Sequence, residues 1–399
     1  MADNKQLAEQ AKEVLVGNYL PQPISLVRGE GCYLFDSEGR RYLDLMGGIA
    51  TAALGHCHPK VVQALEDQAH AVWHVSNLFG SEPKIRLAEK LVEHSFADRV
   101  FLANSGAEAN EAALKLARRY HYDRGDPRPE FLAFEKSFHG RTLFTVSATG
   151  QPAYWEGFEP LGEGFRFAPF GDLDAARALV SARTAAILVE PVQGEGGVRP
   201  SPPGFLEGLR EIADEAGALL IFDEVQCGMG RTGKLFAYEH SAITPDLMTL
   251  AKALGNGIPI GALCATKVCS DVLVPGSHAS TFGGNPLAAA CATAVMTELT
   301  SGGVLENAQL MGEHLAQQLR SLAKRQANRV VEARGVGLLQ ALECRAPVAP
   351  VIDRCREDGV LVISAGANTL RFAPPLIIKA AQIDEGIDVV EKAIAQTLS

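Results

Sequence analysis

Short apolar runs alternate with stretches of helical periodicity over residues 100–290. The runs that predict strands are 100–103 (VFLA), 131–134 (FLAF), 185–192 (AAILVEPV), 218–225 (ALLIFDEV), 246–252 (DLMTLAK) and 261–266 (GALCAT). Helices are predicted between them, one reaching about residue 120 and another over 203–216, where Gly217 is expected to form a left-handed cap. Continuous apolar strands separated by helices are typical of a parallel sheet covered on both faces, so the pattern predicts an α/β fold.

The pattern changes after about residue 290. A long helical segment is predicted to reach about Ala323, followed by candidate strands in VVEAR, LLQALEC and TLRFAPPL and by an amphipathic helix over 382–397. This predicts a smaller α+β domain. We expect residues 1–50 to pack with that small domain, residues 51–290 to form the large domain, and residues 291–399 to form the small C-terminal domain.

Composition excludes several classes of partner. The 399 residues hold 37 Lys and Arg against 47 Asp and Glu, a formal net charge of −10, and no basic run stands out. Nucleic acid and anionic membrane surfaces are therefore not expected as partners. The polar N-terminus does not resemble a signal peptide, and no apolar stretch is long enough to span a membrane. The eight cysteines form no Cys-x-x-Cys pair, which predicts reduced thiols and a cytoplasmic protein.

Two charged residues end predicted apolar strands. Asp223 ends ALLIFD, and Lys252 follows DLMTLA and is the only charged residue of the run TLAKALGNGIPIGA (249–262). Ligands of such sheets bind beyond the carboxyl ends of the strands, and a charge placed there needs a partner. One interpretation is a buried salt bridge between the two residues. The other is that Lys252 is a nucleophilic amine, which a pocket of low dielectric keeps partly unprotonated.

A candidate anion site follows the strand VFLA. Ser105, Gly106 and Ala107 lie where the next helix begins, and the free backbone N–H groups of a helix N-terminus favour a phosphate. An ordinary capped helix is the alternative. Two further motifs are weaker. The run GMGRTG (228–233) matches a dinucleotide fingerprint without the acidic residue that should follow, and GHCHP (55–59) suggests a metal site without a second pair of ligands. We interpret them as a glycine-rich loop and a turn before a helix, and expect no metal.

A strand-end lysine, a strand-end aspartate and a phosphate site suit pyridoxal 5′-phosphate. The segments NSGAEANEAALKLAR, FEKSFHGRT, EPVQGEGG, LLIFDEVQCGMGRTGKLFAYEH, TLAKALGNGIPIGA and STFGGNPLAAA resemble the class III aminotransferases. The resemblance covers nearly the whole chain. It implies a transferase of fold type I that depends on this cofactor, with a mainly parallel sheet between helices, a smaller α+β domain, and a homodimer with shared active sites.

The resemblance also implies roles for individual residues. Lys252 matches the lysine that binds the cofactor covalently, and Asp223 matches the partner of its pyridine nitrogen. The other matching positions are Ser105, Gly106 and Ala107 at the phosphate, Phe138 and Val225 on the two faces of the ring, Gln226 near its phenolic oxygen, Thr281 at the phosphate of the neighbouring subunit, and Ser280, Arg141, Glu195 and Arg371 near the substrate. Many relatives have threonine where Ala107 stands.

The segments GGIATAALGHCHPKV and WHVSNLF resemble the branch of the family that acts on acetylornithine. That branch moves the δ-amino group of acetylornithine to 2-oxoglutarate in arginine biosynthesis. Relatives that act on succinylornithine, on ornithine or in the diaminopimelate pathway share most of the motifs, so the preferred donor stays open. Two alternative functions stay open: catalysis of another reaction on the same cofactor, and nucleotide binding without catalysis.

Arg371 and Glu195 predict how one pocket accepts two substrates. An arginine suits the carboxylate beside the reacting amine of glutamate, and acetylornithine has no carboxylate on its reacting carbon. Arg371 matches the family's arginine for this carboxylate, and Glu195 matches the glutamate that pairs with it in relatives. The resemblance therefore implies that Glu195 pairs with Arg371 in the first half-reaction and moves away in the second. A static ion pair is the alternative.

Overall fold

Helices and strands alternate along the chain in a computed structural model that describes residues 3–398. Residues 1, 2 and 399 of the predicted terminal segments lie outside the described residues. The helices in this range are α1 Asn4–Val14, α2 Gly47–Ala50, α3 Pro59–Ala71, α4 Glu82–Glu93, α5 Gly106–Tyr122, α6 Leu143–Ala148, α7 Leu173–Leu179, α8 Phe205–Ala216, α9 Lys267–Ser270, α10 Pro286–Ser301, α11 Val304–Arg325, α12 Ala349–Glu357 and α13 Ala380–Thr397.

Most strands of the same range are short. They are β1 Leu26–Glu30, β2 Tyr33–Asp36, β3 Arg41–Asp44, β4 Arg99–Ala103, β5 Glu130–Phe134, β6 Phe165–Ala168, β7 Thr184–Val189, β8 Val192–Gln193, β9 Arg199–Pro200, β10 Leu219–Asp223, β11 Leu247–Leu250, β12 Gly261–Ala265, β13 Val330–Val336, β14 Leu339–Cys344, β15 Val360–Leu361, β16 Ile363–Ser364 and β17 Thr369–Phe372. Each apolar run that the sequence assigned to a strand overlaps one of them.

A central sheet of seven strands has the order β4-β12-β11-β10-β7-β5-β6. Its pairings are parallel from β11 through β10, β7 and β5 to β6, whereas β12 is antiparallel to both of its neighbours. The mainly parallel sheet is therefore confirmed, with one reversed strand. The reversal follows from the short connection between Leu250 and Gly261, because a parallel return needs a crossover of a dozen or more residues.

Both faces of this sheet are covered by helices. Leu220 and Phe222 of β10 pack in one apolar cluster with residues of α8. Leu219 and Ile221, which point to the opposite face, pack with residues of α5. This confirms the α/β architecture, and Gly217 ends α8 in the expected left-handed conformation at φ 63°.

The region after residue 290 contains a break that the sequence analysis missed. The single long helix expected there is two helices, α10 and α11, which are separated at Gly302 and Gly303. Gly303 has a φ of 74°, a conformation that glycine adopts without steric cost, and it lies directly before α11. A four-stranded sheet, β13-β14-β17-β16, and α13 follow. No single helix of the described residues is long and apolar enough to cross a membrane, and α10 and α11 reach that composition only as a pair bent by 68°.

The N-terminal strands join the C-terminal part of the chain. Strands β1, β2 and β3 form an antiparallel meander, and β3 pairs in parallel with β15. The contact accords with the expected packing of residues 1–50, while the domain boundaries stay predictions.

Candidate active site

A cavity of about 370 Å³ lies at the carboxyl ends of β10 and β11. Two strand-end residues, Asp223 and Lys252, line it together, as the rule for parallel sheets predicts. The other predicted site residues that line it are Ser105, Gly106, Ala107, Phe138, Arg141, Val225 and Gln226. Segments that are far apart in sequence therefore supply one concave site.

Lys252 follows the end of β11 and opens a short 3₁₀ turn, Lys252–Leu254. Its φ of 44° is unusual for a residue other than glycine, which marks a constrained backbone at this position. The amine has no hydrogen bond or ion pair within residues 3–398. Burial lowers the pKa of Lys252, and the charge of Arg371 acts in the same direction, whereas the carboxylates of Glu195 and Asp223 oppose the shift. An amine with a lowered pKa is a better nucleophile and base at neutral pH.

The carboxylate of Asp223 is held by three donors. Its Oδ2 accepts hydrogen bonds from Asn110 Nδ2 and from His139 Nδ1, each at 2.8 Å, and its Oδ1 accepts from the backbone N–H of Val225 at 3.0 Å. Thr249 in turn donates to the side-chain oxygen of Asn110 at 2.7 Å. No lysine or arginine forms a salt bridge with Asp223 among the described residues, so a pair with Lys252 is not the reason for this aspartate.

The N-terminus of α5 forms one wall of the cavity. The side chain of Ser105 caps the helix by accepting from the backbone N–H of Glu108 at 3.2 Å. Gly106 is the first helical residue, and a Cβ built on it would lie 2.8 Å from Cγ1 of Val225. Glycine is thus needed at this position because a neighbouring side chain lies too close for any other residue. The free N–H groups of this helix end suit an anion.

Phe138 and Arg141 lie on the loop after β5. Glu190 fixes this loop, since one of its carboxylate oxygens accepts from the N–H of Phe138 at 2.9 Å and the other from the N–H of Gly194 at 3.1 Å. Burial raises the pKa of Glu190 to about 7. The guanidinium of Arg141 is exposed and lies 3.7 Å from the ring centroid of Tyr154, which holds it at the rim of the cavity.

Glu195 and Arg371 form an ion pair, with 2.6 Å between Oε1 and Nη1. Gln226 connects to both partners, because its Nε2 donates to Glu195 at 3.2 Å and its Oε1 accepts from Arg371 at 3.0 Å. Arg371 is buried, with 1% of its surface exposed. Although burial opposes the shift, the charge of Arg371 and its hydrogen bond lower the pKa of Glu195. Sequence reasoning predicted the ion pair but placed Gln226 only near the cofactor.

Ser280 and Thr281 lie outside the lining of the cavity, as do Glu195 and Arg371, which reach it through Gln226. Ser280 accepts from the side chain of Asn104, a lining residue, at 3.1 Å, so it belongs to the rim. Thr281 is exposed and borders a separate depression beside Asn77. It is the predicted site residue that the structure does not bring to the cavity within this chain.

Sequence reasoning missed three buried residues around the cavity, Asn110, His139 and Glu190. Each carried a signal. Asn110 is a polar residue on the apolar face of α5, Glu190 follows the apolar strand β7, and His139 follows the aromatic residue Phe138. A polar group in such a position needs a buried partner.

The two weaker motifs occupy turns. Residues 228–233 form a loop that leads into the 3₁₀ turn Ala237–His240, and no helix opens at the glycines, so the dinucleotide fingerprint lacks its required context. His56 of the GHCHP run contacts Asp44 at 2.8 Å, and α3 begins at Pro59. Within residues 3–398, no group of three or more His, Cys, Asp or Glu side chains is placed to hold a metal ion.

Comparison with known proteins places this geometry in context. A family model described as aminotransferase class-III matches residues 16–394. The chain is 53% identical to an acetylornithine aminotransferase of Myxococcus xanthus, over 95% of each chain. It is 48% identical to a succinylornithine transaminase/acetylornithine aminotransferase of Pseudomonas aeruginosa, over 96% of this chain and 95% of the relative. A solved ornithine aminotransferase of Toxoplasma gondii, with partial occupancy of pyridoxal phosphate at its active site, matches with a TM-score of 0.95 and 33% identity, over 98% of this chain and 94% of that one.

Proposed function

Since this chain belongs to the class III aminotransferases, which depend on pyridoxal 5′-phosphate, we propose that it transfers the terminal amino group of N2-acetylornithine to 2-oxoglutarate. The products are N-acetylglutamate 5-semialdehyde and glutamate, and the reaction is a step of arginine biosynthesis. The observation that carries this proposal is the ion pair between Glu195 and Arg371, which lies beside the same cavity as the amine of Lys252. Such a pair provides a carboxylate-binding group that can be covered.

The residues of the cavity fit the cofactor. Each of three parts of the cofactor has a matching group in the cavity. The amine of Lys252, which has no hydrogen-bond partner in the described chain, suits the aldehyde, the helix N-terminus at Gly106 suits the phosphate, and the buried carboxylate of Asp223 suits the pyridine nitrogen. The backbone N–H groups of α5 would hold the phosphate, and Phe138 and Val225 would enclose the ring. When bound, the cofactor supplies an electron sink that stabilises negative charge on the substrate carbon.

Lys252 and Asp223 carry the proton chemistry in this proposal. The amine of Lys252 would hold the cofactor covalently and, when free, would move a proton at the reacting carbon of the substrate. Its lowered pKa favours the neutral form that this step needs. Asp223, oriented by Asn110 and His139, keeps the pyridine nitrogen protonated.

Glu195 controls whether Arg371 is free to bind a substrate carboxylate. Acetylornithine leaves Arg371 paired with Glu195, and its distant carboxylate is bound by Arg141 at the rim. Glutamate places a carboxylate next to its reacting amine, and this carboxylate replaces Glu195 on Arg371. Gln226 stays within hydrogen-bonding distance of both partners and keeps Arg371 partly satisfied while they separate.

The exposed position of Thr281 supports a homodimer. Thr281 would reach the cofactor phosphate of the neighbouring subunit, with Ser280 beside it near the substrate, so two sites would form at one interface. The neighbouring Phe282 leaves 60% of its surface exposed, which suits a residue covered by a partner. A cytoplasmic location completes the proposal and accords with free cysteines throughout the described residues.

Succinylornithine is the second candidate donor. The relative from Pseudomonas aeruginosa carries both activities in its name at 48% identity. The acyl groups of the two donors lie at the end of the substrate remote from the reacting amine, and the succinyl group adds a second carboxylate there.

A screen of single half-reactions tests the proposal. The holoenzyme is mixed with acetylornithine, succinylornithine, ornithine, lysine or 4-aminobutyrate, and the absorbance of the bound cofactor is followed. Acetylornithine should give the highest second-order rate constant. The aminated enzyme that it produces should be converted back by 2-oxoglutarate, with stoichiometric release of glutamate. A tenfold preference for succinylornithine or ornithine would refute acetylornithine as the donor.

A further inference from the structure

A second cavity, of about 1140 Å³, lies at the amino ends of the strands. Glu130 and Phe165, the first residues of β5 and β6, line it, and so does Arg183, which directly precedes β7. Its other wall is the C-terminal half of α5. The cavity with Lys252 lies at the opposite edge of the sheet, beside the N-terminus of the same helix, so the two cavities are separate sites.

Positive charge is concentrated in this second cavity. The cationic side chains that line it are Lys115, Arg118, Arg119, Arg128, Arg166 and Arg183, and the carboxylates that line it are Glu130 and Glu163. Two further carboxylates nearby, Asp123 and Asp126, pair with Arg119 and Arg128. The cavity therefore keeps two positive charges in excess, on a chain whose formal net charge is −10. Concentrated charge of one sign in a cleft attracts small anions.

Two of these cations have no carboxylate partner within residues 3–398. Lys115 contacts Nδ1 of His278 at 3.0 Å and the carbonyl of Ser277 at 3.4 Å. Burial and the charge of Lys115 lower the pKa of His278, which favours the neutral imidazole. Arg118 donates only to the carbonyl oxygens of Pro129 and Glu163, at 2.8 and 3.1 Å, and its buried Nε has no partner among the described residues.

The remaining pair of arginines shares one acid. Arg166 and Arg183 contact the two carboxylate oxygens of Glu130, at 3.2 and 2.7 Å. One carboxylate cannot neutralise two guanidinium groups, so a positive charge is left on this wall as well. Facing walls that each carry uncompensated charge suit a ligand with more than one negative group.

Aromatic rings form the floor between these walls. The guanidinium of Arg118 lies 4.8 Å from the ring centroid of Phe144, and Phe165 meets the same ring edge-on at 5.0 Å. Both rings are partly exposed to the cavity. The guanidinium of Arg118 also lies 5.2 Å from the ring centroid of the buried Phe131, so the partly exposed rings of Phe144 and Phe165 are the apolar surface that a planar ligand can contact.

We propose that this cavity binds an aromatic organic anion with two or more negative charges, a class that nucleoside polyphosphates represent. The anionic groups bind Lys115, Arg118 and the two arginines that share Glu130, and the planar part lies on the rings of Phe144 and Phe165. The site is independent of the glycine motifs at residues 228–233 and of the transamination site.

Isothermal titration calorimetry of the holoenzyme with ATP, in buffer of low ionic strength without divalent metal, tests the proposal. ATP should bind, and adenosine and tripolyphosphate should each bind at least tenfold more weakly, because each lacks one half of the recognition. The double variant Lys115→Gln/Arg183→Gln should weaken ATP binding by about a hundredfold, about tenfold for each charge-assisted contact. Both side chains are exposed, so the fold should tolerate the changes.

Lys324→Gln is the matched control, because it removes an exposed positive charge from α11 outside the cavity. It should leave ATP binding unchanged within about twofold. The proposal is overturned if ATP does not bind, if Lys324→Gln weakens binding as much as the double variant, or if saturating acetylornithine displaces ATP. Equal affinity for tripolyphosphate and ATP would overturn the aromatic part of the assignment.

Discussion

Replacing Glu195 with alanine separates the two half-reactions. In the proposed switch, glutamate must displace Glu195 from Arg371 before its carboxylate can bind. The variant removes that competition, so its reaction with glutamate should be unchanged or faster. The reaction of the variant with acetylornithine should be slower. Bound acetylornithine displaces water from the cavity, so Gln226 is the only partner that remains there for the charge of Arg371.

The size of the effect follows from burial. Breaking a buried ion pair by removing one partner costs about 3–5 kcal/mol. The side chain of Arg371 is 2% exposed, but that of Glu195 is 23% exposed, and Gln226 keeps its hydrogen bond at 3.0 Å. We therefore expect about 1–3 kcal/mol, which is roughly a 5- to 150-fold loss in the efficiency of the acetylornithine half-reaction.

Stopped-flow absorbance of the bound cofactor measures each half-reaction alone. Glu195→Gln should give an intermediate loss, because it keeps a hydrogen-bond acceptor without the charge. Glu391→Ala, which removes the surface partner of Arg325, should change neither rate. Equal losses with acetylornithine and glutamate, or no loss with either, would refute the switch and leave a static ion pair.

Three further predictions concern single buried groups. Lys252→Ala should still bind the cofactor, without a covalent link, and its turnover should fall by at least 10²–10⁴-fold. In the wild type, borohydride reduction followed by peptide mapping should find the label on Lys252 and on no other lysine. Asp223→Asn should keep the covalent link but lose most turnover, and near-normal kcat would return Asp223 to a structural role. Burial raises the pKa of Glu224 to about 8 from its ordinary 4.5, so the folded state binds a proton at Glu224 more tightly than the unfolded state does. This difference stabilises the folded state at low pH, and the stabilisation is lost as the pH rises from about 4.5 to 8. Thermal unfolding of Glu224→Gln should therefore depend less on pH over that range, and an unchanged slope would contradict the assignment.

The strands and the two charged strand ends were predictable because each rests on local information. Continuous apolar runs identified β10 and β11, and the charges that follow them identified Asp223 and Lys252. The antiparallel orientation of β12 was not predictable from the same pattern, since a continuous apolar run is expected of a buried strand in either orientation. It follows instead from the short connection that precedes it.

The network around Arg371 shows the other limit. Family resemblance predicted its pairing with Glu195, but the bridging position of Gln226 depends on how three distant segments pack. A Cβ built on Gly194 would lie 2.0 Å from Oε1 of Gln226, so the bridge needs a glycine directly before Glu195. No spacing in the sequence expresses that contact.

The pairing of β3 with β15 has a consequence for how the chain folds during synthesis. Leu43 and Val360 are neighbours in one sheet although 316 of the 399 residues lie between them. On a ribosome, the edge of β3 that this pairing covers stays open until the last tenth of the protein emerges. Open strand edges invite pairing with other chains, and contacts of long sequence separation form slowly. The N-terminal sheet should therefore be the last part of the nascent protein to become resistant to proteolysis, and the part most in need of chaperone protection.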